Sequence, residues 1–173
     1  MRKFSHEELL KRREPVMGSR LPFCAVLNNI RSLYNVGALF RTADGAGLQK
    51  LWLCGITGIP PSAKISKTAL GSEQSMPWEY AASARQCVER LKAEGWQIVL
   101  LEQTPQSLSY EAFFPQAPIC LVVGNEITGV GEDLLPLCDQ AVEIPMAGLK
   151  ISLNVTVAFG IAAYHVRKQL VNA

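Results

Sequence analysis

Two histidines, His6 and His165, are all the imidazole in this chain, and its five cysteines at 24, 54, 87, 120 and 138 never form a Cys-x-x-Cys pair. A zinc centre needs clustered thiolate and imidazole ligands, so no metal is expected. No apolar run reaches the roughly 18 residues of a membrane span. The opening residues, Met1 to Glu8, hold no hydrophobic segment of the secretory kind. A cytoplasmic protein without a membrane partner is therefore expected. Neither Gly-x-Gly-x-x-Gly nor Gly-Lys-Ser/Thr occurs, and Gly124, Gly129 and Gly131 have the wrong spacing. Dinucleotide and P-loop readings lose support accordingly. Charged residues make up only 18% of the chain against 49% hydrophobic, which excludes a disordered segment.

What is present suits one domain: 173 residues can bury a sizeable core. The net charge of +2 is unevenly spread. Residues 1–50 hold nine Lys/Arg and four Asp/Glu; the remainder hold eight and eleven. The basic half includes Lys11-Arg12-Arg13, Arg20, Arg31 and Arg41. This fits either a polyanion bound on one face or an ordinary solvated basic helix. Residues 1–20 read as a basic helical extension, opened by Ser5 with Glu8 as a capping box and closed by Pro15 and Gly18. Residues 21–173 read as a single domain.

Within that domain, strands are expected at 22–27, 50–54, 76–81, 97–101, 119–123 and 141–144. Helices are expected from near Asn35 to Ala46, over 63–70, 83–94 and 132–135, and from Leu153 to Leu170. Alternating strands and helices imply an α/β fold with a mainly parallel sheet flanked by helices. Cys24, Cys54 and Cys120 then become buried, reduced thiols. The last helix is apolar almost all round, so it needs cover on every side, from a partner subunit or from a central place in the core.

Two polar clusters interrupt the apolar pattern. Near the start stands Asn28-Asn29-Ile30-Arg31-Ser32-Leu33-Tyr34-Asn35-Val36-Gly37-Ala38-Leu39-Phe40-Arg41-Thr42-Ala43-Asp44-Gly45-Ala46-Gly47. Near the end, Gly124-Asn125-Glu126 is followed by Ile144-Pro145-Met146 and by Ser152-Leu153-Asn154-Val155. In this order they resemble the three motifs of the SpoU/TrmH family, RNA ribose 2′-O-methyltransferases that use S-adenosyl-L-methionine. The resemblance runs from about Phe23 to Leu170. It implies a SPOUT-type fold with a C-terminal trefoil knot, a homodimer with the last helix in its interface, and an RNA substrate. Transfer RNA is preferred over ribosomal RNA, because compact members without an added domain often act on it. Glu102-Gln103-Thr104 also looks like relatives that methylate a D-loop guanosine of transfer RNA. The alternative is a non-catalytic RNA-binding or assembly factor with the same fold.

Methylating a ribose hydroxyl demands in-line approach, loss of a proton and exclusion of water. The resemblance gives the acceptor side to Arg41, Asn35 and Glu126, with Ser152 and Asn154 helping to assemble the site. Arginine keeps its proton up to a pKa above about 12. Arg41 therefore reads as a charge-assisted clamp on phosphate and developing alkoxide, against the plain reading of a surface salt bridge. Asn35 is a good helix cap as well, and Gly37 admits a close backbone or RNA approach. The resemblance assigns the cofactor to Leu101, Glu102, Gly124, Ile144, Met146, Ser152 and Leu153, with Ser152 also a candidate cap. Arg31, Arg41, Lys11, Arg12 and Arg13 are the expected RNA contacts.

Overall fold

The apolar runs expected as strands lie side by side in one sheet. The computed structural model describes residues 1–12 and 20–172. In chain order its elements are α1 (His6–Lys11), β1 (Leu21–Asn28), α2 (Leu33–Ala46), β2 (Leu48–Cys54), α3 (Ala63–Ala69) and α4 (Ser72–Ser75). There follow β3 (Trp78–Ala81), α5 (Ala84–Ala93), β4 (Gln97–Leu101), β5 (Leu108–Ser109), β6 (Ile119–Val123), β7 (Gln140–Glu143) and α6 (Val155–Asn172). Short 3₁₀ turns occupy Tyr110–Ala112 and Glu132–Leu137. The strand order is β3-β2-β1-β6-β4-β7-β5, and every pairing is parallel.

The central strands read as unbroken apolar runs because helices cover both faces. Side chains alternate between those faces. Phe23, Ala25 and Leu27 of β1 join Ile119, Leu121 and Val123 of β6 in one core layer, under α2 and α6. Cys24 and Val26 join Cys120 and Val122 in the other, under α5 and the 132–137 turn. Phe23, Phe40 and Phe159 are fully buried, each contributing about 1.5–3 kcal/mol to folding. Cys24, Cys54, Cys87 and Cys120 are buried free thiols.

Several details differ from the expectation. Helix α2 starts at Leu33, two residues early, because Ser32 caps it by accepting from the Asn35 N–H. It closes at Gly47, whose φ of +77° lies in the left-handed region. Helix α6 starts at Val155, two residues late. It is not enclosed all round within the chain: Phe159, Ala162, Ala163 and Val166 are buried, while Val157, Tyr164 and Val171 are exposed. β5 and α4 are too short for periodicity to reveal. α1 carries the expected capping box, with both the Ser5 and Glu8 side chains engaged. Pro15 and Gly18 lie outside the described residues. No helix among the described residues is long and apolar enough to cross a membrane.

Candidate active site

The first polar cluster is shaped by the turn that leaves β1. Asn29 has φ +58°, a left-handed conformation that asparagine tolerates better than most residues. Its Oδ1 accepts from the Ile56 N–H at 3.1 Å. The buried Thr57 hydroxyl donates to the Leu27 carbonyl at 2.8 Å and accepts from the Ile30 N–H at 3.0 Å. Held in this way, the next residues aim their N–H groups at one carboxylate. Glu126 accepts from Arg31 N at 2.9 Å, Ser32 N at 3.0 Å and Asn35 Nδ2 at 2.8 Å. Asn154 Nδ2 donates to Asn35 Oδ1 at 3.5 Å. Asn35, Glu126 and Asn154, far apart in the chain, therefore form one cluster.

Glu126 stands on a tight turn after β6. Asn125 and Gly129 exchange main-chain hydrogen bonds of 3.0 and 2.9 Å. Asn125 Oδ1 accepts from Ile127 N and Thr128 N, and its Nδ2 donates to the Asn29 carbonyl at 2.8 Å. Asn125 thus locks the two polar clusters together. The sequence signal for this role was its place between Gly124 and Glu126, with Gly129 four residues on. Gly124 serves the same turn: a Cβ there would strike the Gly129 carbonyl and the Val130 nitrogen. Its lack of a side chain admits that backbone.

Partial desolvation pushes the Glu126 carboxyl up, but the N–H donors of Arg31, Asn35 and Ser32 together outweigh it and hold it below the usual carboxylate range. A depressed folded-state pKa stabilises the fold above the unfolded value of about 4.3 and ceases to do so as pH falls through the folded value. Glu126→Gln is therefore expected to lower stability at pH 7 by about 1 kcal/mol, a figure kept small because the carboxylate is solvent-screened. The gap from the unsubstituted protein should be smaller at pH 3, where less of the carboxylate is ionised. Urea midpoints at the two pH values check this; an equal gap at both would show that the charge is not what matters.

A cavity of about 500 Å³ opens beside this cluster, at the C-terminal ends of β4, β6 and β7. Ligands usually sit at that edge of a parallel sheet, and the volume lies within the range of small-molecule sites. Leu101, Glu102, Gly124, Ile144, Met146, Ser152 and Leu153 all line it, as do Glu126 and Asn154. Its carboxylates are Glu102, Glu126 and Glu143, and no Lys, Arg or His is among its lining residues. Such a wall favours a cationic ligand over a phosphate. Met146, Ile151 and Ser152 line the cavity, and their main-chain N–H groups find no acceptor among the described residues, so they can donate to a ligand.

Other sequence expectations fare differently. Asn154, not Ser152, caps α6: its Oδ1 accepts from Thr156 N at 2.8 Å. Ser152 simply lines the cavity. Asn35 is not a cap either, because Ser32 takes that place and leaves the Asn35 amide to Glu126. Glu102 holds the neighbouring wall, accepting from Val130 N at 3.0 Å and Gln103 N at 2.8 Å. Gln103 Nε2 reaches over to the Ile151 carbonyl at 2.7 Å, a tie across the cavity that no sequence signal announced.

Arg41 stands apart. Six residues beyond Asn35 place it about 9 Å further along α2 and about 120° round the axis. It is exposed, absent from the cavity wall, and without a hydrogen bond or ion pair among the described residues. The Arg31 side chain is exposed too, its backbone serving Glu126. Lys11 pairs with Glu7 at 3.1 Å, and Arg12 lies 4.7 Å over the Phe4 ring; neither belongs to the cluster. Arg13 lies outside the described residues.

Comparison with known proteins adds independent findings. Residues 22–164 match the SpoU rRNA Methylase family. A tRNA (guanosine(18)-2'-O)-methyltransferase of Escherichia coli (strain K12) is 30% identical over 169 residues, covering 96% of this chain and 69% of its own. The crystal structure of the A. aeolicus TrmH/SpoU tRNA modifying enzyme superimposes with a TM-score of 0.82 at 30% identity, over 94% of this chain and 83% of that one. The AdoMet-bound rRNA methyltransferase from Sinorhizobium meliloti does so with a TM-score of 0.80 at 30% identity, over 86% of this chain and 56% of that one.

Proposed function

The chain belongs to the SpoU rRNA methylase family, and on that premise we propose that it transfers a methyl group from S-adenosylmethionine to a ribose 2′-hydroxyl of transfer RNA. The observation that carries this reading is the cavity with three carboxylates and no cation beside the Asn35–Glu126–Asn154 cluster. S-adenosylmethionine is a sulfonium cation, and the lining fits it. When bound, it supplies an already activated methyl group, so the protein has only to bind, orient and polarise. Leu101, Ile144 and Leu153 offer apolar wall. The free N–H groups of Met146, Ile151 and Ser152 offer donors, and the carboxylates favour the positive charge.

On the acceptor side, Glu126 fixes Asn35, and Asn35 and Asn154 present amide groups to the ribose. Arg41 clamps the adjacent phosphate and stabilises charge developing on the 2′-oxygen. Since Arg41 turns away from its own cavity, we assign it to the cavity of a second protomer. Thr42, its neighbour, packs toward Gly160 of α6, and α6 exposes the apolar residues Val157 and Tyr164. A homodimer covering that face places Arg41 at the interface. Lys11, Arg12 and Arg13 are the further RNA contacts of the same proposal. The C-terminal trefoil knot and a cytoplasmic location belong to the same proposal.

Incubation with tritiated S-adenosylmethionine and separate pools of unmodified transfer and ribosomal RNA, followed by nucleoside mapping, tests it. Label in a 2′-O-methylnucleoside from transfer RNA is expected. Label from ribosomal RNA alone would move the substrate to the class that the S. meliloti enzyme represents. Cofactor binding by calorimetry with no label in either pool would favour a non-catalytic RNA-binding role.

A further inference from the structure

Tyr34 stands beside the Asn35–Glu126 cluster without taking part in it. It lies in the first turn of α2 and is 45% exposed. Only its backbone is anchored: the Thr68 hydroxyl donates to the Tyr34 carbonyl at 2.8 Å. Gly37 makes this close approach of α3 possible, since a Cβ there would strike the Ile65 carbonyl and the Thr68 hydroxyl. With α3 held so closely, Lys67 Nζ sits 5.9 Å from the Tyr34 ring centroid, within reach of a cation–π contact. That ammonium takes up part of the ring, and nearly half of the residue's surface stays accessible to solvent.

Cations predominate around the ring, and the nearby Glu126 carboxylate is taken up by the N–H groups of Arg31, Ser32 and Asn35. Residues 31–43 and 55–72 contain Arg31, Arg41, Lys64 and Lys67 and no carboxylate. All four cations are exposed. An exposed aromatic ring on a rigid helix, with cations around it, suits an unstacked nucleobase and its phosphate. Packing does not account for the exposure, because the apolar neighbours Val36 and Leu39 are buried on the other side of α2.

We propose that Tyr34 is a stacking platform for a base flanking the methylated nucleotide, and that Lys67 holds a phosphate of the same strand. The inference rests on the function proposed above and names a substrate contact for it. Tyr34 is a positioning residue for RNA and takes no part in the transfer itself.

RNA affinity and methyl transfer, measured separately on the full chain with a pool of unmodified transfer RNA, test the proposal. Tyr34→Ala is expected to weaken RNA binding by about tenfold, raise KM for RNA to match, and leave kcat and S-adenosylmethionine affinity within about twofold. Tyr34→Phe keeps the ring and should bind like the unsubstituted protein. Lys67→Ala should lower the slope of log Kd against log salt by about 0.7–0.9, the loss of one phosphate contact, whereas Tyr34→Ala leaves that slope alone. Undiminished binding by Tyr34→Ala, or a Tyr34→Phe variant as weak as Tyr34→Ala, overturns the stacking role. If the protein binds RNA but methylates none, the function proposed above fails while the affinities still judge Tyr34. If it binds no RNA, both fall.

Discussion

Arg41→Ala is expected to cut methyl transfer by about 10²–10³-fold, the usual loss when one charge-stabilising donor is removed, while S-adenosylmethionine binds with unchanged affinity. The separation follows from where Arg41 stands: it is exposed on α2 and lines no part of the cavity. Calorimetry for the cofactor and initial rates for RNA methylation check the two halves. Lost cofactor affinity would mean that Arg41 supports the cavity instead of the acceptor. A mixing experiment then reads the placement. On the proposed homodimer, Arg41→Ala and Glu126→Ala proteins, each expected to be inactive alone, are unfolded together and refolded. If Arg41 serves the second protomer's site, random pairing restores about a quarter of full activity, because half of the dimers are mixed and each holds one intact site. If Arg41 acts on its own protomer's site, nothing is restored.

The second large effect is structural in origin. Gly124→Ala puts a methyl group against the Gly129 carbonyl and the Val130 nitrogen, both main-chain atoms. Neither can swing aside like a flexible side chain, so the turn must open. Overpacking of this kind costs about 1–3 kcal/mol, which corresponds to a fall in Tm of about 2–12 °C for a domain of this size. The Asn125–Gly129 pairing should loosen, and with it the wall that Glu102 holds through Val130 N. S-adenosylmethionine affinity is therefore expected to drop at least tenfold, whereas Gly148→Ala, with open space around its Cβ position, should change little. Thermal melts and calorimetry on the two variants decide the matter. A normal melt with lost affinity would return Gly124 to direct cofactor contact.

Much of this arrangement was legible before any coordinates. The apolar run at 119–123 is bounded by Pro118 and Gly124, that at 97–101 is closed by Glu102, and both became strands with the expected limits. The motif order brought Glu126, Met146 and Asn154 to one sheet edge, because parallel strands all end on the same side. Helix caps were harder to read. Ser32, Asn35, Ser152 and Asn154 are all good capping residues, and only the three-dimensional path decides which side chain is left for chemistry. Asn35 is spared because Ser32 is one turn nearer the strand, and Ser152 is displaced because the chain runs extended for two more residues. The apolar breadth of α6 overstated its enclosure: sequence gives the width of an apolar stripe but not which part of it the same chain covers. Gly124 lines the cavity as expected, but its tight packing against the 129–130 backbone was not foreseen, for a related reason. A glycine announces close approach without saying whether backbone or ligand does the approaching.

Phe23 of β1 pairs with Ile119 of β6, 96 residues further on, and the same strand order lodges β6 between β1 and β4. During synthesis, β1, β2 and β3 can meet early, but β1 keeps an open edge until nearly three-quarters of the chain has left the ribosome. Loop closure over such a span is slow, and an unpaired apolar strand edge invites pairing with another chain. The nascent protein therefore waits for five residues, Ile119 to Val123, whose arrival covers β1 and ties it through β6 to β4, leaving the outer edge of β4 to β7.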